Sequence, residues 1–372
     1  MPRLRLAVLA APAFVAAMAV AVALLSSRGD HGAPDRRPAP AGAATGAAAA
    51  DPIGELSLRQ LAGTTVVLRF HGTRAPAYVR RALRERRAAG VILFADNLTT
   101  PDALRAMTAE LHAANPGALV MVDQEGGDVR IVPWAGPETG QAWRATPREG
   151  RAVAARAGRQ LRALGVDVVL GPVADAGRPG TALASRSFAG DIPALTAATV
   201  RGWLAGGVLP TAKHFPGLGA AATNTDDAAA TVAVDRAELD AVDLPPFAAA
   251  IEAGAPLVMA SLAVYPALDP DRPASQSRAI LTGLLRGELG FDGVVITDSL
   301  EAEAVRARPS TPGAAVRAMA AGADLLLTTG RGSYLPVLEA VAARAARDDA
   351  FRARVREAAA RVLALQERAA RR

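Results

Sequence analysis

Residues 207–215 read GVLPTAKHF, and residues 292–299 read DGVVITDS. Each stretch enters apolar and β-prone and leaves on side chains able to do chemistry, Lys213 and His214 in the first and Asp298 in the second. Working outward, the same pattern recurs six more times: TTVVLRF from 64, GVILFADN from 90, ALVMVDQ from 118, GVDVVLGPVAD from 165, APLVMAS from 255 and ADLLLTT from 323. Nearly continuous Val, Ile and Leu mark strands buried on both faces. Successive starts lie about 26 to 48 residues apart, enough for one helix and its loops, which is the repeating βα unit of a parallel sheet. Eight units predict an α/β fold closed as a (β/α)8 TIM-type barrel. The rival is a doubly wound open sheet, whose dinucleotide version needs a G-x-G-x-x-G after the first run, and none follows. The intervening segments agree: PDALRAMTAELHAA at 101–114 has helical periodicity behind a capping Thr100. From 348, two Asp residues precede Phe351, Val355, Val362 and Leu363 at helical intervals, which predicts a closing helix on the barrel wall.

Composition narrows the function. Of 372 residues, 51% are hydrophobic and 21% charged, so the chain can bury a sizeable core. With no Cys there is no disulfide framework, thiolate metal site, cysteine nucleophile or thioether lipid anchor. The net charge of +6 does not read as nucleic-acid binding, because the basic residues are scattered and only 4% of the chain is aromatic. Lys213 is the single lysine among 42 basic residues. In a chain that otherwise uses Arg, a lone Lys points to a compact ammonium donor in a confined pocket.

Residues 6–25, LAVLAAPAFVAAMAVAVALL, form an apolar run with Arg3 and Arg5 before it and Arg28 after. Twenty helical residues span roughly 30 Å, longer than the apolar core of an ordinary cleaved signal. Residues 1–28 are therefore expected to be a signal anchor or a signal peptide, with its positive flank inside. Residues 29–52 read as an Ala/Gly/Pro linker, and 53–372 as the barrel with its C-terminal helices. The expected location is extracytoplasmic, membrane-anchored through residues 6–25 or secreted.

A barrel enzyme builds its site at the C-terminal ends of its strands. Asp123 ends the third run, Lys213 and His214 the fifth, and Asp298 the seventh. Asp175 and Asp96 also stand at strand exits, where an acid most often caps the following helix, and that role is expected of both. Ser299 can cap the next helix, which leaves Asp298 free to face the mouth. Lys and His donors with Asp acceptors suit a polyol, and no phosphate-cradling Gly-rich loop is present, so a sugar fits better than a nucleotide.

Taken in order, GVILFADN, VDQEGGDVR, LGVDVVLGPVADAG, SRSF, AKHFPGLG, DLPPFAAAI, PASQSRAILTGLLRGELGFDGVVITDSL and AAGADLLL resemble the catalytic barrel of glycoside hydrolase family 3. The resemblance covers about residues 53–330 and points to the single-domain β-N-acetylhexosaminidase branch. It implies a retaining double displacement without metal or organic cofactor, on a carbohydrate with a β-linked N-acetylglucosamine. Asp298 stands where the family's nucleophile stands. Asp123, Lys213, His214 and Arg186 stand at the sugar-binding positions.

Two departures qualify the resemblance. The branch takes its acid from an Asp-Ser-His on the loop after strand five, yet the four histidines are His31, His71, His112 and His214. That loop carries Asp226 and Asp227 instead, whose paired carboxyls could raise one pKa enough to protonate a leaving group. Second, Gly127-Asp128-Val129-Arg130-Ile131 replaces Gly-Arg-Val-Gln-Arg, and a one-residue shift on a strand turns a side chain to the other face. The alternatives are a weak or inactive barrel that binds glycans, and a β-glucosidase-type glycosidase.

Overall fold

The computed structural model describes residues 53–306 and 310–372. The expectations for residues 1–28 and 29–52 lie outside the described residues. Among those described, no helix is long and apolar enough to cross a membrane.

All eight apolar runs are strands: β1 Val66–Arg69, β2 Gly90–Ile92, β3 Leu119–Val122, β4 Val168–Val169, β5 Leu209–Phe215, β6 Leu257–Ala260, β7 Val294–Thr297 and β8 Leu326–Leu327. They pair in parallel in the order β7-β6-β5-β4-β3-β2-β1-β8. A parallel bridge between Ile296 and Leu325, with Thr297 N donating to Leu325 O at 2.9 Å, joins β7 to β8 and closes the ring. The two-residue period of each strand divides its side chains between two cores. Val67, Ile92, Met121, Met259 and Ile296 fill the lumen. Val66, Leu68, Val91, Val120 and Val295 face the surrounding helices. At roughly 1.5–3 kcal/mol per fully buried aliphatic side chain, both sets favour closure over an open sheet.

Local signals set the helices. Thr100 caps the helix Pro101–Ala114 by accepting from Ala103 N, with Pro101 at the first position where no donor is needed. The C-terminal helix Asp349–Ala370 starts at its cap Asp348, as the sequence suggests. Its course differs from the expectation. Phe351, Val355 and Ala358 pack in the outer shell, but Val362, Leu365 and Ala369 pack with the lumen residues. Gln366 also donates to Ala89 O, just before β2, at 2.8 Å. The helix leaves the wall and crosses the floor of the barrel, because a lumen of apolar side chains must be sealed at the end opposite the mouth.

Candidate active site

The mouth holds a cavity of about 480 Å³ bordered by Asp123, Lys213, His214, Asp226 and Asp298. A wider hollow of about 760 Å³ lies beside Arg344, Arg347, Asp348 and Asp349, but its acids are paired with arginines, Asp348 with Arg344 and Asp349 with Arg352.

At the end of β3, alternation places Asp123 and Glu125 on one side and Gln124 on the other. Gln124 donates to Val132 O, Ala135 O and Gly136 O and accepts from Val132 N, which pins the returning loop. Asp123 Oδ1 and Glu125 Oε1 both meet Lys213 Nζ, at 2.6 and 2.8 Å. Arg186 closes the cluster with a bidentate pair to Glu125, Nε to Oε2 at 2.9 Å and Nη2 to Oε1 at 2.7 Å. Burial would raise the Glu125 carboxyl, but the charges of Lys213 and Arg186 outweigh it and hold the pKa at about 2. Burial likewise would lower Lys213, and the Asp123 and Glu125 charges raise it instead. Below this cluster Arg144 donates to Glu125 O at 2.6 Å; burial, partly offset by Glu125 and Glu149, lowers its pKa to about 10. Lys213 is thus a confined ammonium, 3% exposed, held in place by two carboxylates.

Lys213 and His214 are adjacent on β5, yet both border the cavity, because the ladder with β6 shifts register between Ala212 and Phe215. The strand then turns through Gly217, whose φ of +128° suits only glycine. A Cβ on Gly219 would lie 2.1 Å from Ala176 O, so this loop presses against the exit of β4. That contact brings Asp175 under His214. Asp175 accepts from His214 N at 3.0 Å, from Leu218 N at 2.6 Å, and from His214 Nδ1 at 2.7 Å. The expected helix-capping role for Asp175 is therefore corrected: it orients an imidazole. With Nδ1 as donor to Asp175, Nε2 faces Asp298 Oδ2 at 3.9 Å. The capping role for Asp96 is corrected as well. Asp96 lies within the short helix Ala95–Asn97 and binds Arg69 and His71, while Asn97 accepts from Phe94 N.

Asp298 follows β7 and is 16% exposed. Its Oδ1 accepts from Ser299 N at 2.7 Å, and among the described residues nothing donates a hydrogen bond to Oδ2. Ser299 pairs with Thr329 Oγ1 at 2.5 Å and accepts from Glu301 N, which fixes the turn ahead of the helix Glu303–Arg306. The loop after β5 is tied to that helix: Ala304 N donates to Thr225 O and Glu303 N to Asp226 O. Asp226 borders the cavity; burial at the mouth and the charge of Asp298 raise its carboxyl pKa. Asp226 and Asp227 are both solvent-exposed, but only Asp226 borders the cavity. The expected pairing of Asp226 with Asp227 thus gives way to one of Asp226 with Asp298. Val129 and Ile131 border the cavity and Arg130 does not, as the one-residue shift anticipates.

Sequence reasoning passed over Glu125. The signal was available: two acids at i and i+2 share a strand face, so a partner of Asp123 there also reaches the lone lysine.

Fold and site together define a closed parallel barrel whose mouth gathers carboxylates, one lysine and one oriented histidine. Residues 53–365 match the model of the glycosyl hydrolase family 3 N-terminal domain, and the chain belongs to that family. It is 36% identical over 275 residues to a beta-hexosaminidase of Stenotrophomonas maltophilia, covering 69% of this chain and 80% of that protein. It is also 34% identical over 307 residues, 77% of this chain and 86% of the relative, to a protein of Arthroderma benhamiae described as a secreted glycosyl hydrolase. A family 3 beta-N-acetylglucosaminidase from Paenibacillus superposes with a TM-score of 0.80 at 34% identity, over 85% of this chain and 63% of that one. A beta-N-acetylhexosaminidase from Beutenbergia cavernae gives 0.77 at 35%, over 84% and 99%.

Proposed function

We propose that this protein is a retaining glycoside hydrolase that releases terminal β-linked N-acetylglucosamine from glycan or cell-wall fragments. Asp298 is the nucleophile and Asp226 the general acid and base. The observation that carries the reading is the pairing, in one cavity, of a carboxylate oxygen that receives no hydrogen bond from any described residue and a second carboxyl whose pKa that carboxylate helps to raise. The relatives named for hexosaminidase activity support the sugar.

Asp298 Oδ2 bonds to the anomeric carbon as the bond to the leaving oxygen breaks, and protonated Asp226 gives its proton to that oxygen. Asp226, now a carboxylate, takes a proton from water. The water oxygen attacks the same carbon, the ester to Asp298 breaks, and the configuration is retained. Lys213, Asp123, His214 and Arg186 hold ring hydroxyls, so that the sugar sits in a near-attack position worth several kcal/mol of the barrier. The apolar run at 6–25 and the relative described as secreted support an extracytoplasmic location.

The test is covalent trapping. Residues 53–372 incubated with a 2-fluoro glycoside should gain one sugar mass, mapped to the peptide holding Asp298. Tight sugar binding with no adduct would make the barrel a glycan-binding module instead.

A further inference from the structure

We propose that Arg69, at the end of β1, forms a subsite for an anionic oxygen group carried by the substrate, separate from the clamp of hydroxyl-binding residues. The other cationic side chains of the cavity, Lys213 and Arg186, are engaged by Asp123 and Glu125. Arg69 borders the same cavity on its β8–β1–β2 side, beside Ile92, Phe94, Leu327 and Thr329. Its guanidinium lies 4.1 Å from the centroid of the Phe94 ring, which fixes the plane and leaves the edge for acceptors. Of its five donors, one reaches Asp96 Oδ1 at 3.2 Å, and Asp96 is shared with His71 Nδ1 at 2.8 Å. Nε is buried and meets no acceptor among the described residues. Arg69 keeps 24% of its side chain exposed.

Lys213 and Arg186 can hold hydroxyls because Asp123 and Glu125 already balance their charge, whereas Arg69 shares its one carboxylate partner, Asp96, with His71. A permanently charged planar fork, set in a mostly apolar wall and short of acceptors, matches a carboxylate, sulfate or phosphate in the plane of the guanidinium. The anionic group can sit on the ring being cleaved or on the leaving group; the chemistry at Arg69 is the same. The assignment deepens the hydrolase reading and rests on it for the identity of the sugar.

Three ligands test it: an aryl β-N-acetylglucosaminide, its 6-O-sulfate, and an N-acetylglucosaminide whose leaving group is a carboxylate-bearing sugar. Their binding is measured by calorimetry to Asp298→Asn protein, with and without Arg69→Gln. Removing one charge-assisted contact should weaken at least one anionic ligand by roughly tenfold or more, and the plain glycoside by less than about threefold. Which anionic ligand responds identifies the source of the group. Arg69→Lys, which keeps the charge and loses the fork, should lose part of the same preference and covers the case where the glutamine variant does not fold. Equal weakening of all three ligands, or no preference for an anionic ligand over the plain one, would overturn the proposal. Because binding is read without turnover, failure of the hydrolase reading appears separately, as absent hydrolysis of the plain aryl glycoside by the wild type.

Discussion

The mouth and the floor of this barrel are built from the same residue types and do opposite things with them. At the floor, Asp324 is fully buried and both its oxygens are engaged: Oδ2 by Arg286 at 2.5 Å and Val295 N at 2.9 Å, Oδ1 by Arg354 and Arg361. Asp167 repeats the arrangement with Arg162, His112 and Val120 N. At the mouth, Glu125 is equally saturated, but Asp298 Oδ2 and the Asp226 carboxyl receive no hydrogen bond from any described residue. A completed network holds structure together, and an incomplete one leaves a charge available to a ligand. The distinction between scaffold and chemistry here is one of saturation, not of residue type.

The sharpest attempt to break that contrast is Asp298→Asn. It should lower kcat on the order of 10⁴-fold or more while leaving the melting temperature within a degree or two of the wild type. A large fall in stability instead would move Asp298 to the structural class. Next, Asp226→Ala should slow glycosides with poor leaving groups by roughly 10²–10⁴-fold and activated aryl glycosides far less. Since Asp226 must be protonated to act, and its pKa is raised, the wild-type rate should fall as pH rises through that value. The high-pH limb should vanish in Asp226→Asn assayed with an activated substrate.

Effects at the saturated sites should appear in stability instead. Asp324→Ala leaves three arginines facing an emptied carboxylate site and should cost about 3–5 kcal/mol in urea unfolding, with kcat unchanged where the protein is folded. The smallest effect is expected of Glu125. Its folded pKa of about 2 lies below the ordinary 4.5, so its contribution is complete above 4.5 and is lost as pH falls towards 2. That contribution is on the order of 3 kcal/mol. Urea unfolding at pH 6 and pH 3 should show the wild type losing the larger part of it and Glu125→Gln losing less.

The barrel was legible because each strand is a short apolar run that ends in polar residues, and eight such runs admit few closures. The position of the C-terminal helix was not. Periodicity identifies Val362 and Leu365 as apolar-facing but does not say whether they meet wall or floor, since both are apolar. At the site, Lys213 was conspicuous as the single lysine, and Asp298 as the acid beside a serine expected to cap the next helix, although Ser299 instead fixes the turn ahead of that helix. Asp175 was misread because one strand-end acid looks like another in one dimension; its role depends on a histidine 39 residues away reaching back to it. The choice between Asp226 and Asp227 turned on which way a loop faces, which adjacent identical residues cannot reveal.

The hydrogen bonds from Ala304 N and Glu303 N to the loop after β5 carry one further consequence. Asp226, the proposed proton donor, does not ride on a free flap; its backbone is moored to the segment that follows Asp298. Lengthening the connection between Ser299 and Glu303 would therefore shift both partners of the reaction at once, and remodelling this protein for bulkier glycans would best begin on the β1–β2 side, away from that tether.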